Sequence, residues 1–292
     1  MVSAGTKFVW YDRNGKQGGV IDQRTYLYEG RLSPDGKKIA TSIIEPTSGN
    51  AHIWLYEIGR SIWTRLTFDP YNYRWPIWSP DGRNIVYQRE SSLWQKVSSG
   101  EGSEELLFKS VDAIFPEDWS ADGKFIAYTT NGPNTQSDIW ILPMSAAGER
   151  KPFLFLQTKF REDFPAFSPD GRWIAYQSDV TGVLEIYIRP FPGPGGTKQV
   201  STNGGSLPRW RRDGKEIFFA GFNTNILAAD IELRETTAEV GAVRPLIQSM
   251  GVSDNFDVSG DGKKFLVLTR GENVGSSALT LVVNWVGEIK KR

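Results

Sequence analysis

The chain contains no cysteine, a single histidine (His52) and no net charge, with 34 Lys plus Arg against 34 Asp plus Glu in 292 residues. Without cysteine there is no disulfide framework and no thiolate chemistry, and one histidine cannot build a histidine-rich metal site. The lack of a basic excess removes the global field that recruits nucleic acid or an anionic membrane, so any partner must be recognised locally. No apolar stretch reaches the roughly 18 residues that span a bilayer, and Met1 to Gly5 is not a secretory apolar core. The expectation is a monomer without a nucleic-acid partner, without membrane insertion and without a targeting signal of its own.

What the sequence does have is a repeat. A tight Asp-Gly turn between two apolar runs recurs six times: SPDG at 33–36 and 79–82, SADG at 120–123, SPDG at 168–171, RRDG at 211–214 and SGDG at 259–262. The aspartates Asp35, Asp81, Asp122, Asp170, Asp213 and Asp261 lie 46, 41, 48, 43 and 48 residues apart, close to the length of a four-stranded propeller blade. In the second repeat Ile77 and Trp78 precede the turn, and the runs 84–88, 93–97 and 105–108 follow it. Each run is short, rich in β-branched and aromatic residues, and bounded by Gly, Ser, Pro or Asp, which is how strands are punctuated. Three residues before each turn aspartate stand Leu32, Trp78, Trp119, Phe167, Trp210 and Val258, a bulky set suited to packing between neighbouring blades.

The fold class read from this pattern is all-β: a β-propeller of four-stranded antiparallel blades, one domain over 1–292. Six blades are favoured, and seven with a truncated blade is the alternative. The segment Phe8 to Ile21, with Asn14-Gly15 at its turn, reads as a hairpin. Paired with the last strands, Lys264 to Leu268 and Leu279 to Trp285, it closes the ring and removes both sheet edges.

The (F/W)SPDG(R/K)xIAY phrase resembles the WD40-like PD40 repeat of the TolB-like propellers, over nearly the whole chain. FVWYDRNGK at 8–16, RLTFDP at 65–70 and the ending at 279–292 further resemble the propellers of bacterial receptor-like serine/threonine kinases. The resemblance implies an extracytoplasmic, periplasmic location within a larger protein and a sensing or protein-interaction role. No kinase chemistry is present in these residues: there is no Gly-rich phosphate loop, no HRD and no DFG.

In a four-stranded meander the Asp-Gly turns gather on one face and the inter-blade connections on the other. The second set is longer and richer in rings and charges, so it is the expected binding face. Two of its segments are dense in the residue types that dominate interface hot spots. The expected partner-binding residues are Tyr73, Arg74, Trp75, Phe115, Asp163 and Phe164, for a protein or peptide partner, with a glycan possible.

Enzyme readings find little support in the linear text. No Gly-x-Ser-x-Gly elbow is present. His52 heads a third strand and reads as a solvent-side or strand-edge imidazole. Dipeptidyl-peptidase-type enzymes and oligogalacturonate lyase carry similar repeats, but the former place catalysis in a separate hydrolase domain and the latter needs a histidine cluster. The calcium-loop spacing is absent, and each turn aspartate is expected to accept local backbone hydrogen bonds. The reading is therefore a non-catalytic binding or scaffold propeller, with no catalytic residues, no metal and no cofactor. A propeller hydrolase or lyase acting on glycan or peptide is the alternative.

Overall fold

A computed structural model describes residues 5–21, 26–132, 135–144, 150–222, 225–248 and 253–270. Every element in it is a β-strand, and the strands form six four-stranded antiparallel sheets. The chain begins with β1 (Thr6–Asp12) and β2 (Gln17–Ile21), which belong to the sixth blade. The first blade is β3 (Leu27–Leu32), β4 (Lys38–Ile44), β5 (Ala51–Glu57) and β6 (Ile62–Arg65), and the second is β7 (Tyr73–Trp78), β8 (Asn84–Arg89), β9 (Ser92–Val97) and β10 (Glu105–Lys109). The third is β11 (Ile114–Trp119), β12 (Phe125–Thr130), β13 (Asp138–Pro143) and β14 (Phe153–Leu156). The fourth is β15 (Glu162–Phe167), β16 (Trp173–Ser178), β17 (Glu185–Pro190) and β18 (Lys198–Gln199). The fifth is β19 (Ser206–Trp210), β20 (Glu216–Ala220), β21 (Ile226–Leu233) and β22 (Ala238–Ile247), and β23 (Ser253–Val258) and β24 (Lys264–Arg270) open the sixth.

The ring closes as β23-β24-β1-β2. Strand β1 lies along β24 without a break in register, from Thr6 opposite Arg270 to Asp12 opposite Lys264. It occupies the third place in the blade, which settles the count at six. The third strand expected at Leu279 to Trp285 lies outside the described residues. The closure is fastened twice more. Phe8 of β1 is fully buried, and its ring fills the space where a side chain at Gly30 would stand, 2.5 Å from a Cβ built there. Arg13, just past β1, donates to the carbonyl of Gly262 at 3.1 Å and pairs with the buried Glu216 of the fifth blade.

Five of the six Asp-Gly turns share one hydrogen-bond pattern. Ser33 Oγ donates to Asp35 Oδ1 at 2.6 Å, the Lys37 amide donates to the same oxygen at 3.0 Å, and the Lys38 amide donates back to Ser33 Oγ at 2.9 Å. Ser79, Ser120, Ser168 and Ser259 repeat this with Asp81, Asp122, Asp170 and Asp261. In the fifth blade Arg211 replaces the serine and holds Asp213 through Nε and Nη2. The hydrogen bond from Ser33 keeps the Asp35 carboxyl below its ordinary pKa, and the one from Ser79 does the same for Asp81. These aspartates therefore organise the turn backbone.

The turn glycines all have positive φ, +68° at Gly171 for example. A Cβ at Gly171 would meet nothing within 4 Å, so a substitution there tests conformation alone. Gly171→Val is expected to destabilise the chain by about 1 kcal/mol or more. An unchanged denaturation midpoint would show that the left-handed conformation is not required.

Every joint between neighbouring blades is filled by apolar residues, in two clusters between the third and fourth blades and in one elsewhere. Ala40, Ile53 and Leu55 of the first blade meet Tyr73, Trp78 and Tyr87 of the second, and equivalent sets fill the remaining joints. The bulky residues three before each turn aspartate contribute as their pattern suggests, with an added polar stitch. Trp78 Nε1 donates to the Arg31 carbonyl at 3.0 Å and Trp210 Nε1 to the Ala166 carbonyl at 3.1 Å, each reaching back to the preceding blade.

His52 departs from its expectation. It is 2% exposed, packed 5.6 Å from the Tyr73 ring, and burial pulls its pKa below the ordinary value. His52 heads β5 and meets Tyr73 of the second blade, a contact that strand alternation alone does not reveal.

Candidate functional site

The innermost strands β3, β7, β11, β15, β19 and β23 surround the axis, and each carries a shift of register against its neighbour, between Arg74 and Ile77 in β7 for instance. Such bulges re-aim side chains. In three blades the residue at the shift has left-handed φ: Trp75 (+57°), Phe164 (+50°) and Leu207 (+56°). All three precede a proline. The conformation is unfavourable for a side chain by roughly 1–2 kcal/mol each, and buried acceptors from the preceding blade help hold it. The Trp75 amide donates to Glu29 Oε1 at 2.7 Å and the Leu207 amide to Gln177 Oε1 at 3.0 Å.

Past the shift, four residues before each turn aspartate, the strands present Arg31, Ile77, Asp118, Ala166, Arg209 and Asp257. These and Glu117 line the floor of a cavity of about 1350 Å³ that opens between the Asp-Gly turns, with Trp78, Trp119 and Trp210 in its walls and Arg212 at its mouth. The floor sets two arginines against acidic partners. Arg31 donates from Nη2 to the Glu117 carbonyl at 3.1 Å and lies 3.7 Å from its carboxylate. Arg209 Nε is 3.7 Å from Asp257 Oδ1. Asp118 accepts the Phe167 amide at 2.7 Å, and Asp257 accepts the Leu32 amide at 2.7 Å. Each of these two carboxylates thereby ties its own inner strand to the next blade.

Burial dominates the chemistry of the floor. It pushes the Glu117 carboxyl up to about 8, against the lowering pull of Arg31. It pushes Asp118 up to about 6, partly offset by the Phe167 amide and Arg31. Both carboxyls are thereby held above their ordinary range in a cleft that Arg31 and Arg209 also line, which makes them candidates for proton transfer. Among the described residues no group of three or more Asp, Glu or His side chains is placed to hold a metal ion.

The residues expected from sequence to bind a partner lie at the other end of the inner strands. Trp75 and Phe115 meet edge to face, with ring centroids 5.9 Å apart, and both are half-buried. The Arg74 guanidinium sits 4.9 Å over the Tyr28 ring. Tyr73 is fully buried in the joint between the first two blades. Asp163 is buried and paired with Arg161, while Phe164 packs against the joint between the fifth and sixth blades. The structure therefore brings Trp75 and Phe115 together and assigns Tyr73 to the core.

Sequence reasoning missed Arg31, Glu117, Asp118, Arg209 and Asp257. For all but Glu117, which stands five before Asp122, the available signal was a charged residue four before the turn aspartate.

No family model matches the chain. An uncharacterised peptidase, YuxL, of Bacillus subtilis is 30% identical over 154 residues, covering 52% of this chain and 22% of that protein. An uncharacterised protein, Atu1656, of Agrobacterium fabrum is 26% identical over 201 residues, covering 64% and 66%. The chain thus spans under two thirds of the length of either relative. Among solved structures, a TolB-type protein of Agrobacterium tumefaciens superposes with a TM-score of 0.71 at 18% identity, over 92% of this chain and 99% of that one.

The fold is that of a TolB-like propeller. The same architecture is shared with oligogalacturonate lyases (TM-scores 0.58 and 0.57) and a 6-phosphogluconolactonase-type protein (0.57). These enzyme propellers, together with the relative named as a peptidase, correct the sequence reading of a non-catalytic chain. The physical reason is that an axial site takes one or two residues from each of several blades. No contiguous motif spells it, so the absence of a nucleophile elbow or a histidine cluster does not argue against catalysis.

Proposed function

We propose that this TolB-like propeller is an enzyme, a hydrolase or lyase acting on glycan or peptide, with the axial funnel as its substrate seat. The observation that carries the reading is the cluster of Glu117 and Asp118 with Arg31 and Arg209 in the axial cavity, where burial raises both carboxyls above their ordinary range. Glu117, protonated at neutral pH, serves as general acid, and Asp118, ionised above about 6, as the partner base. The tryptophan walls supply stacking surface for sugar rings or apolar side chains. The enzyme-named neighbours and the peptidase relative support the same class.

Turnover should be assayed with the purified chain on neutral and acidic oligosaccharides and on blocked peptides. The rate should be bell-shaped, rising above pH about 6 as Asp118 ionises and falling above about 8 as Glu117 loses its proton. Glu117→Gln should lower the rate by about 100-fold or more and remove the alkaline limb. Absence of turnover across the panel defeats the catalytic reading, and full activity in Glu117→Gln defeats the assignment of the acid.

A second surface is proposed at the opposite mouth. The pair Trp75 and Phe115, with Arg74, Asp163 and Phe164 around it and Tyr73 supporting it from the core, forms a rim for a protein or peptide partner. Its support is the half-buried aromatic contact and the neighbours that include TolB and a nidogen–laminin complex. An extracytoplasmic location within a larger protein accords with the TolB likeness.

A further inference from the structure

The axial cavity is lopsided. From the second to the fifth blade it is lined only by the innermost strand and its Asp-Gly turn, by Ile77, Trp78 and Pro80 in the second for example. The sixth blade instead contributes all four strands: Asp257 of β23, Lys264 of β24, Trp10 of β1, and Gly18 and Gly19 of β2. Ile58, just past β5, flanks them from the first blade. An arm of the cavity therefore leaves the axis and runs across the sixth blade. Four strands are three spacings wide, so the arm reaches about 14 Å beyond the inner strand, at roughly 4.8 Å per spacing.

The outer end of the arm is kept clear by glycine. Strands β1 and β2 slip in register between Val9 and Tyr11, which sets Gly18 and Gly19 opposite Trp10. Glycine inside a strand weakens it and marks a bulge or a close approach by a ligand. A Cβ at Gly18 would stand 3.4 Å from the Cβ of Trp10, whereas one at Gly19 would meet nothing within 4 Å, and neither residue has left-handed φ. Neither packing nor backbone conformation requires glycine at 19. Its effect is to leave the half-buried Trp10 uncovered on that side of the arm.

We propose that the axial cavity and this arm together seat a linear, uncharged oligosaccharide of several sugar units, with the reacting linkage at the axis and the rest of the chain lying across the sixth blade over Trp10. The inference rests on the axial cavity being the substrate seat and adds the substrate class.

The lining selects this ligand. The indole N–H groups of Trp78, Trp119 and Trp210 are already bonded to the carbonyls of Arg31, Gly123 and Ala166. The rings therefore offer a ligand apolar surface, which the C–H face of a pyranose covers. Acidic and basic side chains line the cavity in nearly equal number, so no net field favours a polyanion or a polycation. An extended peptide satisfies its backbone by adding to a strand edge, but the arm crosses the strands of the blade and follows none of them. A sugar chain carries its polar groups as hydroxyls, and the exposed Lys16 and Gln17 stand at the rim to meet them.

The test is a length series. Glucose oligomers with β-1,4 links, glucose oligomers with α-1,4 links and β-1,4-linked N-acetylglucosamine oligomers, each from two to six units, are titrated against the purified chain by tryptophan emission and calorimetry. In at least one series the six-unit member should bind tenfold or more tightly than the two-unit member. Gly19→Tyr adds a ring where the fold has room for one, and Trp10→Ala removes the platform. Each should bring the six-unit affinity to within threefold of the two-unit affinity, with the latter and the circular dichroism spectrum unchanged. Because Trp10 also packs in the joint between the sixth and first blades, Gly19→Tyr decides the matter if Trp10→Ala does not fold. Absence of binding by all three series, affinity independent of length, a length dependence that survives Gly19→Tyr, or tighter binding of a uronic-acid or an oligoalanine series each overturns the proposal. Length-dependent binding without turnover of any member would leave the arm and sink the enzyme. Turnover of disaccharides or blocked peptides with no length dependence would do the reverse.

Discussion

Removing residues 1–21 is expected to abolish the folded monomer. The deletion takes β1 and β2 out of the sixth blade and leaves β24 with a seven-residue unpaired edge. It also uncovers the groove beside Gly30 where Phe8 packs and strips Glu216 of Arg13. An exposed flat strand such as Phe265 to Leu268, buried in the intact ring, is a template for pairing with another chain. The truncated protein should elute as soluble aggregate or fail to express in soluble form, and a monomeric product with the original melting temperature would mean that the ring closes by other means. The single change Arg13→Ala, which keeps both strands, should lower stability without aggregation.

The axial carboxylates carry the second large effect. Asp257→Ala should destabilise the chain by about 3 kcal/mol or more, because it removes the acceptor of the buried Leu32 amide and leaves Arg209 without its nearest counter-charge. The comparison is Asp81→Ala, which removes an exposed turn carboxylate and is expected to cost about 1 kcal/mol. Denaturant titration of both variants decides the matter. If Asp257→Ala costs no more than Asp81→Ala, the axial network does not join the blades as described.

The fold was legible in the sequence because it is written in local chemistry. Pro-Asp-Gly and its variants set a turn that needs a side-chain acceptor and a residue at positive φ, and both requirements are visible in four letters. Strand lengths and the inter-blade role of Trp78 or Phe167 follow from the same repeat. Ring closure was legible only in outline, since nothing near Phe8 announces that its partner is Leu268.

The site was not legible, and the reason is geometric. Arg31, Asp118, Arg209 and Asp257 sit in four different blades and become neighbours only when the ring is complete. Each one alone reads as an ordinary charge near a turn. The aromatic density at 71–75 drew attention to the opposite mouth, yet Tyr73 proved to be core and Arg74 stacks on Tyr28. His52 was misplaced for a related reason: it packs against Tyr73 of the next blade, a contact between distant strands.

The closing blade also imposes an order on biosynthesis. Phe8 faces Leu268, so β1 has to wait for β24 to be made. At ribosomal rates of about 5–20 residues per second, that delay is roughly 13–50 seconds, during which the apolar face of β1 has no native partner. Five blades can assemble from their own contiguous strands as they emerge. The sixth cannot, which makes the docking of β1 on β24 the step that converts a row of blades into a ring.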